Sequence, residues 1–274
     1  MGEPVSSTDI HEMIPAERRD RIVRALKDLR AVRVSTLSDD LGVSEITIRR
    51  DLALLEREGI LARTYGGAVL RQHRIQEPRF ADDVGTQAAK KRGIARAAAS
   101  MVEAGDTFFL GSGTTAAQLL CYVDPALKAR VVTHNLGVAA LVEEQGLELI
   151  FLGGLYRSSL NVVDGTWAID MIGHFHADKA FLGADGVDPA AGLTTPSMTV
   201  AGIEQAMVRR TRGEVVVMAD HTKIGLVCDL VVCPLDQVDL LVVDDEVDPD
   251  ICARIAQVGP RCEVVPANPL ITKG

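Results

Sequence analysis

The sequence predicts an α/β protein in two parts, an N-terminal winged helix-turn-helix domain followed by a Rossmann-like domain with a mostly parallel sheet. Three observations predict it. Charge is divided: 13 Lys and Arg face 9 Asp and Glu between Pro15 and Ile75, and 16 face 26 from Gln76 onward. The basic part has the period of short helices broken by a glycine turn, and the acidic part alternates β-rich runs with helical windows. With 274 residues, 47% of them hydrophobic, there is enough chain for two cores. The net charge of −9 would oppose nucleic acid binding, but a basic domain ahead of an acidic one makes the total the wrong number to judge by.

Ile22, Val23, Leu26 and Leu29 repeat as one buried face of a first helix, Ala16 to Leu29. Val34, Leu37 and Leu41 give a second, shorter helix, with Ser35 as its N-cap. Gly42 breaks it, since glycine takes positive φ without steric cost, and Val43 plugs the gap between helices. Ser44 opens a third helix to about Glu58, and Gly59 stops it. Ile60–Thr64 and Tyr65–Leu70 read as a small hairpin around Gly66-Gly67. This domain is expected over 17–72, with 34–53 as the reading unit, and a polar linker containing Pro78 over 73–86.

The second domain is expected over 87–265. Lys90 to Val102 is Ala-rich and helical. Strand-like runs follow at Thr107–Leu110, Val131–Thr133, Leu147–Leu152, Ala180–Leu182, Val215–Met218 and Leu240–Val243. Between them lie helical windows at Thr115–Tyr122, Val138–Gln145, Trp167–His174, Ile203–Thr211 and Pro249–Val258. Apolar strands alternating with helices mean a parallel sheet covered on both faces.

On a helical wheel of Ser44–Glu58, Ile48, Leu52 and Leu55 share a core face, while Ile46, Arg50 and Arg57 point the other way with Thr47 and Arg49 beside them. Arginines and a threonine on an outward face suit a major groove, because Arg bridges guanine O6 and N7 and Thr meets phosphate or a thymine methyl. Asp51 would repel phosphate, so it is expected to pair with a neighbouring arginine. The expected DNA-contacting set is Ser35, Ser44, Ile46, Thr47, Arg49, Arg50, Arg57, Arg63, Tyr65, Gly66 and Gly67. Only 4% of residues are aromatic, too few for a base-stacking platform.

In the second domain, Leu110-Gly111-Ser112-Gly113-Thr114-Thr115 follows a strand and opens a helix, where backbone amides and hydroxyls make an anion site. It is neither a Walker A nor a G-x-G-x-x-G motif, so a nucleotide is not indicated. Gly153-Gly154 with Arg157, Asp185-Gly186 and Asp220 to Lys223 close other strands, and ligands of open α/β sheets bind at such ends. A phosphate loop with Lys223 for charge and Asp185 for hydroxyls suits a phosphorylated sugar or polyol. The expected effector set is Ser112, Gly113, Thr114, Thr115, Asn135, Gly153, Gly154, Arg157, Asp185, Gly186, Glu204 and Lys223.

Five cysteines without C-x-x-C spacing read as small buried hydrophobes in a reducing cytosol. His174 and His176 lack a metal-ligating partner in sequence, His134 reads as structural and Trp167 as core. Neither a metal nor a cofactor is expected. No apolar run approaches the roughly 18 to 20 residues of a membrane span, and Met1 to Pro15 carries three acids and no basic residue, so a cytoplasmic protein without a membrane partner is expected.

Val43 to Leu52, then Leu55-Glu56 and Gly59, then Arg63-Thr64-Tyr65-Gly66-Gly67-Ala68, resemble the signature of the DeoR family of bacterial transcription regulators. The chain departs at Tyr65, where the family commonly has His. The resemblance continues through Lys90–Ala99, Gly105-Asp106, the Ser112–Thr115 loop, Thr133 with Asn135, Gly153-Gly154, Gly165, Phe181–Val187, Gly192–Thr194, Ala206-Met207 and Asp220–Gly225, and so spans about residues 17 to 245. It implies a sensor domain related in fold to ribose-5-phosphate isomerase and glucosamine-6-phosphate deaminase, and an effector that is a phosphorylated sugar or sugar-like compound. Gly111 stands where the family commonly has an acid, and Glu204 where it commonly has a lysine. The resemblance implies a repressor of a sugar operon that binds a duplex DNA operator as a homodimer or homotetramer. An activator has the same architecture. An isomerase would need Asp185 and Glu204 as acid and base, without the cation expected at position 204.

Overall fold

A computed structural model describes residues 14–29, 31–57, 61–64, 66–70, 80–83, 85–139, 141 and 147–266. The chain divides into two compact units, Met1–His73 and Arg74–Gly274.

The first unit contains α1 (Pro15–Leu29), β1 (Ala31–Arg33), α2 (Val34–Leu41), α3 (Glu45–Arg57), β2 (Leu61–Thr64) and β3 (Gly67–Leu70). Its core is the set that the helical period selects: Ile22 and Leu26 of α1, Leu37 of α2, and Ile48, Leu52 and Leu55 of α3. Burying each of these side chains contributes about 1.5–3 kcal/mol. Gly42 ends α2 at φ 64°, and the Ser38 hydroxyl donates to the Val43 carbonyl at 2.6 Å, so the turn is locked from both sides. The strands form an antiparallel sheet in the order β1-β3-β2. Its third strand, β1, lies outside the expected hairpin, and it corrects one capping assignment. The cap of α2 is Arg33 and not Ser35: β1 runs straight into the helix, and the Val34 amide donates to the Gly66 carbonyl at 2.9 Å. Ser35 sits exposed in the first turn.

The second unit begins with α4 (Phe80–Asp83), α5 (Ala88–Ala99), β4 (Thr107–Leu110), α6 (Thr114–Leu119), β5 (Arg130–Thr133) and β6 (Glu148–Phe151). Then come the hairpin β7 (Leu155–Arg157) and β8 (Val162–Asp164), α7 (Thr166–Ile172), β9 (Ala177–Gly183), β10 (Gly186–Asp188) and β11 (Gly192–Thr195). Last are α8 (Met198–Arg210), β12 (Thr211–Ala219), β13 (Leu230–Cys233), β14 (Leu240–Asp244), α9 (Pro249–Ala256) and β15 (Arg261–Val265). Seven strands form one sheet in the order β15-β14-β12-β9-β4-β5-β6, parallel throughout. The six expected strands are all in it. The seventh, β15, and the small antiparallel sheet β10-β11-β13 were not expected.

Alternation along β4 explains the two cores. Phe108 and Leu110 pack with Ile94, Ala95 and Ala98 of α5 and with Ala116 and Ala117 of α6. Phe109 points the other way, into a cluster with Ala168, Ile172, Ile203, Met207 and Ile255 of α7, α8 and α9. Both faces of the sheet are therefore covered. Two sequence assignments fail here. Trp167 is 75% exposed and not core, because Ala168 and Ile172 supply the buried stripe of α7. Of the five free cysteines, Cys121 is exposed. The expected helix over 138–145 falls mostly outside the described residues, although Leu136–Val138 forms one 3₁₀ turn.

Candidate functional site

In the first unit, α3 presents the outward face that its sequence predicts. The Ser44 hydroxyl accepts from the Thr47 amide at 3.3 Å and so opens the helix. Ile46 is 71% exposed, and Arg49, Arg50 and Arg57 are exposed beside it. Arg49 is held by Glu45 at 2.6 Å, and the Arg57 Nε donates to the Ala53 carbonyl at 3.3 Å. An apolar side chain so exposed among arginines costs solvation unless something covers it, and a thymine methyl would. Arg63 is exposed on β2, with its Nε 3.9 Å from Glu56. Tyr65 lies outside the described residues.

Two assignments in this unit change. Gly67 is buried, and a Cβ there would lie 2.1 Å from the Val32 carbonyl oxygen. Glycine is needed at 67 because β1 pairs against it, which accounts for the residue without a DNA contact. Gly66 is exposed with φ 86°, and its carbonyl holds the Val34 amide. Asp51 does pair with an arginine, but with Arg18 of α1, at 2.5 Å. This buried pair clamps α1 to α3.

In the second unit, the chain leaves β4 in one direction along the sheet through β5 and β6, and in the other through β9, β12, β14 and β15. At such a switch point the loops after adjacent strands diverge and leave a crevice. An open pocket lies there, lined by the ends of both diverging loops. The loop after β4 supplies Ser112, Gly113, Thr114 and Thr115, the loop after β9 supplies Asp185, and the turn after β12 supplies Asp220 and Lys223. Lys223 makes no ion pair with a described residue. The Asp185 carboxylate accepts from the Thr195 hydroxyl at 2.7 Å.

Glu204 forms part of the floor. It is 2% exposed, and its Oε1 accepts from the Ser112 amide at 3.1 Å and the Ser112 hydroxyl at 3.0 Å. A Cβ at position 111 would lie 2.7 Å from the same oxygen. Gly111 and Glu204 are thus one arrangement: the missing side chain at 111 makes room for the carboxyl from α8. Burial pushes the Glu204 carboxyl up to about 8, and the charge of Asp185 adds to this while the Ser112 bonds oppose it. Glu204 therefore stands mostly neutral near pH 7.

A second group meets at the mouth. Lys91 of α5 is 2% exposed. Its Nζ donates to the Asp83 carboxylate at 2.7 Å, to the Asp83 carbonyl at 3.0 Å and to the Thr114 hydroxyl at 2.9 Å. The Thr114 hydroxyl also lies 2.6 Å from the Asp83 carboxylate. Burial pushes the Asp83 carboxyl up, but the bonds from Lys91 and Thr114 and the charges of Lys91 and Lys223 outweigh it and hold it below its usual value. Sequence reasoning missed both residues. A signal existed for Lys91: it shares a helical stripe with Ile94, Ala95 and Ala98, where a lysine has no business without a buried partner. Asp83 fell in the expected linker.

A family model described as the DeoR-like helix-turn-helix domain matches residues 18–74, and one described as the DeoR C terminal sensor domain matches residues 86–245. The chain belongs to the DeoR family. This DeoR-type transcriptional regulator, whose partner is DNA, is 32% identical over 247 residues to the regulator GlpR of Haloferax volcanii, across 90% of this chain and 96% of that protein. It is 29% identical over 237 residues to the transcriptional repressor GlcR of Bacillus subtilis, across 85% of this chain and 89% of that one. Among solved structures, ribose 5-phosphate isomerase A of Methanocaldococcus jannaschii matches with a TM-score of 0.36 and 20% identity, across 49% of this chain and 53% of that chain.

Several expected effector residues of the DeoR sensor unit do not line the pocket. Asn135 is fully buried, and its amide donates to the carbonyls of Gly111 and Gly113 at 3.3 and 3.0 Å, so it props the loop from behind. Gly153, Gly154 and Arg157 follow β6, the edge strand, which sets them two strands away from the switch point. Arg157 instead pairs with Asp164 at 3.1 Å. Gly186 is buried in β10 against the Leu226 carbonyl. His134 is fully buried with its Nδ1 3.2 Å from the Val163 carbonyl, and burial lowers it to about 4. Behind the turn after β12, His221, Asp244 and Glu246 bring ligand atoms within 4.8 Å of one another, but the Lys90 ammonium lies 2.5 Å from Glu246 and 3.7 Å from Asp244 and already supplies the positive charge. Among the described residues no helix is long and apolar enough to cross a membrane.

Proposed function

We propose that this regulator is a cytoplasmic repressor of a carbohydrate operon, released from its operator when a phosphorylated sugar fills the pocket of the second unit. In this reading the outward face of α3 lies in the major groove, with Arg50 and Arg49 at base edges or phosphate and Ile46 against a thymine methyl. Two copies or a multiple of two bind, because two-fold operators mirror two-fold proteins.

The observation that carries the effector half is Lys223: a partly buried cation without an ion pair among the described residues, in the same pocket as the Ser112–Thr115 loop. The amides of Gly113, Thr114 and Thr115 donate to no described residue, so the loop keeps donors for a phosphate. Asp185 is the acceptor for sugar hydroxyls. The neutral state of Glu204 removes a charge that would repel the phosphate. The same residues favour a sensor role over a catalytic one: Lys223 and the loop bind, while Glu204 is tied to Ser112 and makes no ion pair among the described residues.

The test is a thermal-shift screen of the full chain against phosphorylated and unphosphorylated sugars. A ligand at 100 times its Kd stabilises the fold by about 2.7 kcal/mol. A phosphorylated hit that is lost on Lys223→Ala supports the reading. Hits confined to unphosphorylated compounds would overturn it.

A further inference from the structure

The Asp83 carboxylate stands where an anion would bind, and this has a consequence for how the pocket is switched. We propose that Asp83 is a built-in competitor for the effector: its carboxylate fills an anion subsite made by Lys91 Nζ and Thr114 Oγ1, and the phosphate group of an effector displaces it and frees α4 from the pocket. The proposal rests on the reading of the pocket as a phosphate-binding sensor and adds its regulation.

Three observations carry it. First, two of the three hydrogen bonds that the Lys91 ammonium donates end on Asp83, and the third ends on Thr114 of the phosphate loop. A buried ammonium needs an anion. Asp83 supplies it here, and a phosphate oxygen can supply it in place of Asp83, so the exchange leaves the Lys91 charge paired. Second, Asp83 and Lys91 line the same pocket as Lys223 and Ser112–Thr115. A phosphate seated there meets Thr114, whose hydroxyl Asp83 already occupies at 2.6 Å. The two acceptors compete for one donor. Third, Asp83 is one of the two ends by which α4 is held. At the other, the Phe80 amide donates to the Ser159 carbonyl at 3.0 Å and the Phe80 ring packs against the core beside Gly137, while the Asp83 carbonyl also accepts from the Thr86 amide at 3.1 Å.

A self-occupied site lowers apparent affinity by the fraction of time it stands open. Removing the competitor should therefore tighten binding. The experiment titrates the full chain with inorganic phosphate and follows it by calorimetry and thermal shift, for the wild type, Asp83→Asn, Asp83→Ala and Lys91→Met. Both Asp83 variants should bind phosphate about tenfold tighter or more. Asp83→Ala, which leaves Lys91 short of an anion, should melt lower without phosphate and gain more from it than the wild type does. Lys91→Met should lose the response. Hydrogen exchange on the wild type needs no variant: phosphate should protect the Ser112–Thr115 loop and raise exchange in α4. Unchanged or weaker phosphate binding in both Asp83 variants, or protection of α4 on binding, overturns the displacement while leaving the pocket as the sensor. No response of any of these proteins to phosphate or to a panel of sugar phosphates overturns the sensor reading, and the proposal with it.

Discussion

The two units solve recognition in opposite ways. On α3 the residues that face outward lie within thirteen consecutive positions, stay exposed, and owe their placement to one helical period. The pocket draws on α4, α5, α8 and the loops after β4, β9 and β12, from Phe80 to Val232, and several of its polar groups are buried. A surface site of the first kind tolerates change at one position without harm to the fold. A buried site of the second kind ties charge, packing and function together, so its variants should change stability as well as binding.

The sharpest break of this contrast is expected at Asp51, which lies on the reading helix but is buried. Asp51→Ala removes the buried carboxylate that pairs with Arg18 across α1 and α3 and should cost the first unit about 3–5 kcal/mol. Urea unfolding should show early loss of that unit, while phosphate binding by the second unit stays unchanged. Equal loss in both units would mean that they do not fold separately.

Next in size is Gly111→Asp, which drives a second acid onto the Glu204 oxygen. Crowding alone typically costs about 1–3 kcal/mol, and burying a second carboxyl against the first adds a desolvation cost to it. Glu204→Lys in the same chain should recover much of the loss, because it replaces two acids by an ion pair. A thermal-melt cycle of the two single variants and the double measures that coupling, and strict additivity would mean that 111 and 204 do not meet.

The pH dependence is the third test. Glu204 titrates near 4.5 when unfolded and is raised to about 8 when folded. Its contribution to stability is full below the unfolded value and is lost as pH rises through the folded one. The lowered value of His134 works in the opposite sense, with stability lost as pH falls from 6.5 towards 4, so the clean window for Glu204 lies between pH 6.5 and 8. Across it the wild type should lose stability as pH rises, and Glu204→Gln should lose clearly less. Parallel melting curves for the two proteins would contradict the assignment.

On the exposed side, Arg50→Ala should weaken operator binding by about 1–3 kcal/mol and leave the melting temperature and phosphate binding as they were. The smallest effect on stability is expected at Ile46. Ile46→Ala should change it by less than about 0.5 kcal/mol, while binding weakens for sites with thymine at the contacted position.

How much of this was legible follows the same division. The core of α3 and its outward arginines follow from the helical wheel, and the loop Ser112–Thr115 and Lys223 follow from their places at strand ends. Gly153, Gly154 and Arg157 also end a strand, but strand order puts β6 at the edge, and order along a sheet is not written in any one segment. Asp83 looked like linker because four residues show no period. Gly67 falls in the expected DNA-contacting set because the β1 pairing that crowds it joins residues more than thirty positions apart. The departure at Glu204 was visible in the sequence, whereas its contact with Ser112 and the space at Gly111 needed the fold.

The most direct test of the account joins the two units. Duplex DNA selected by the chain from a random pool would be titrated with and without a sugar phosphate that stabilises the protein, for the wild type and Lys223→Ala. The account predicts that the sugar phosphate lowers the affinity of the wild type for DNA and leaves that of Lys223→Ala unchanged, with both proteins binding DNA equally in its absence. A sugar phosphate that fills the pocket and leaves DNA affinity as it was would contradict it.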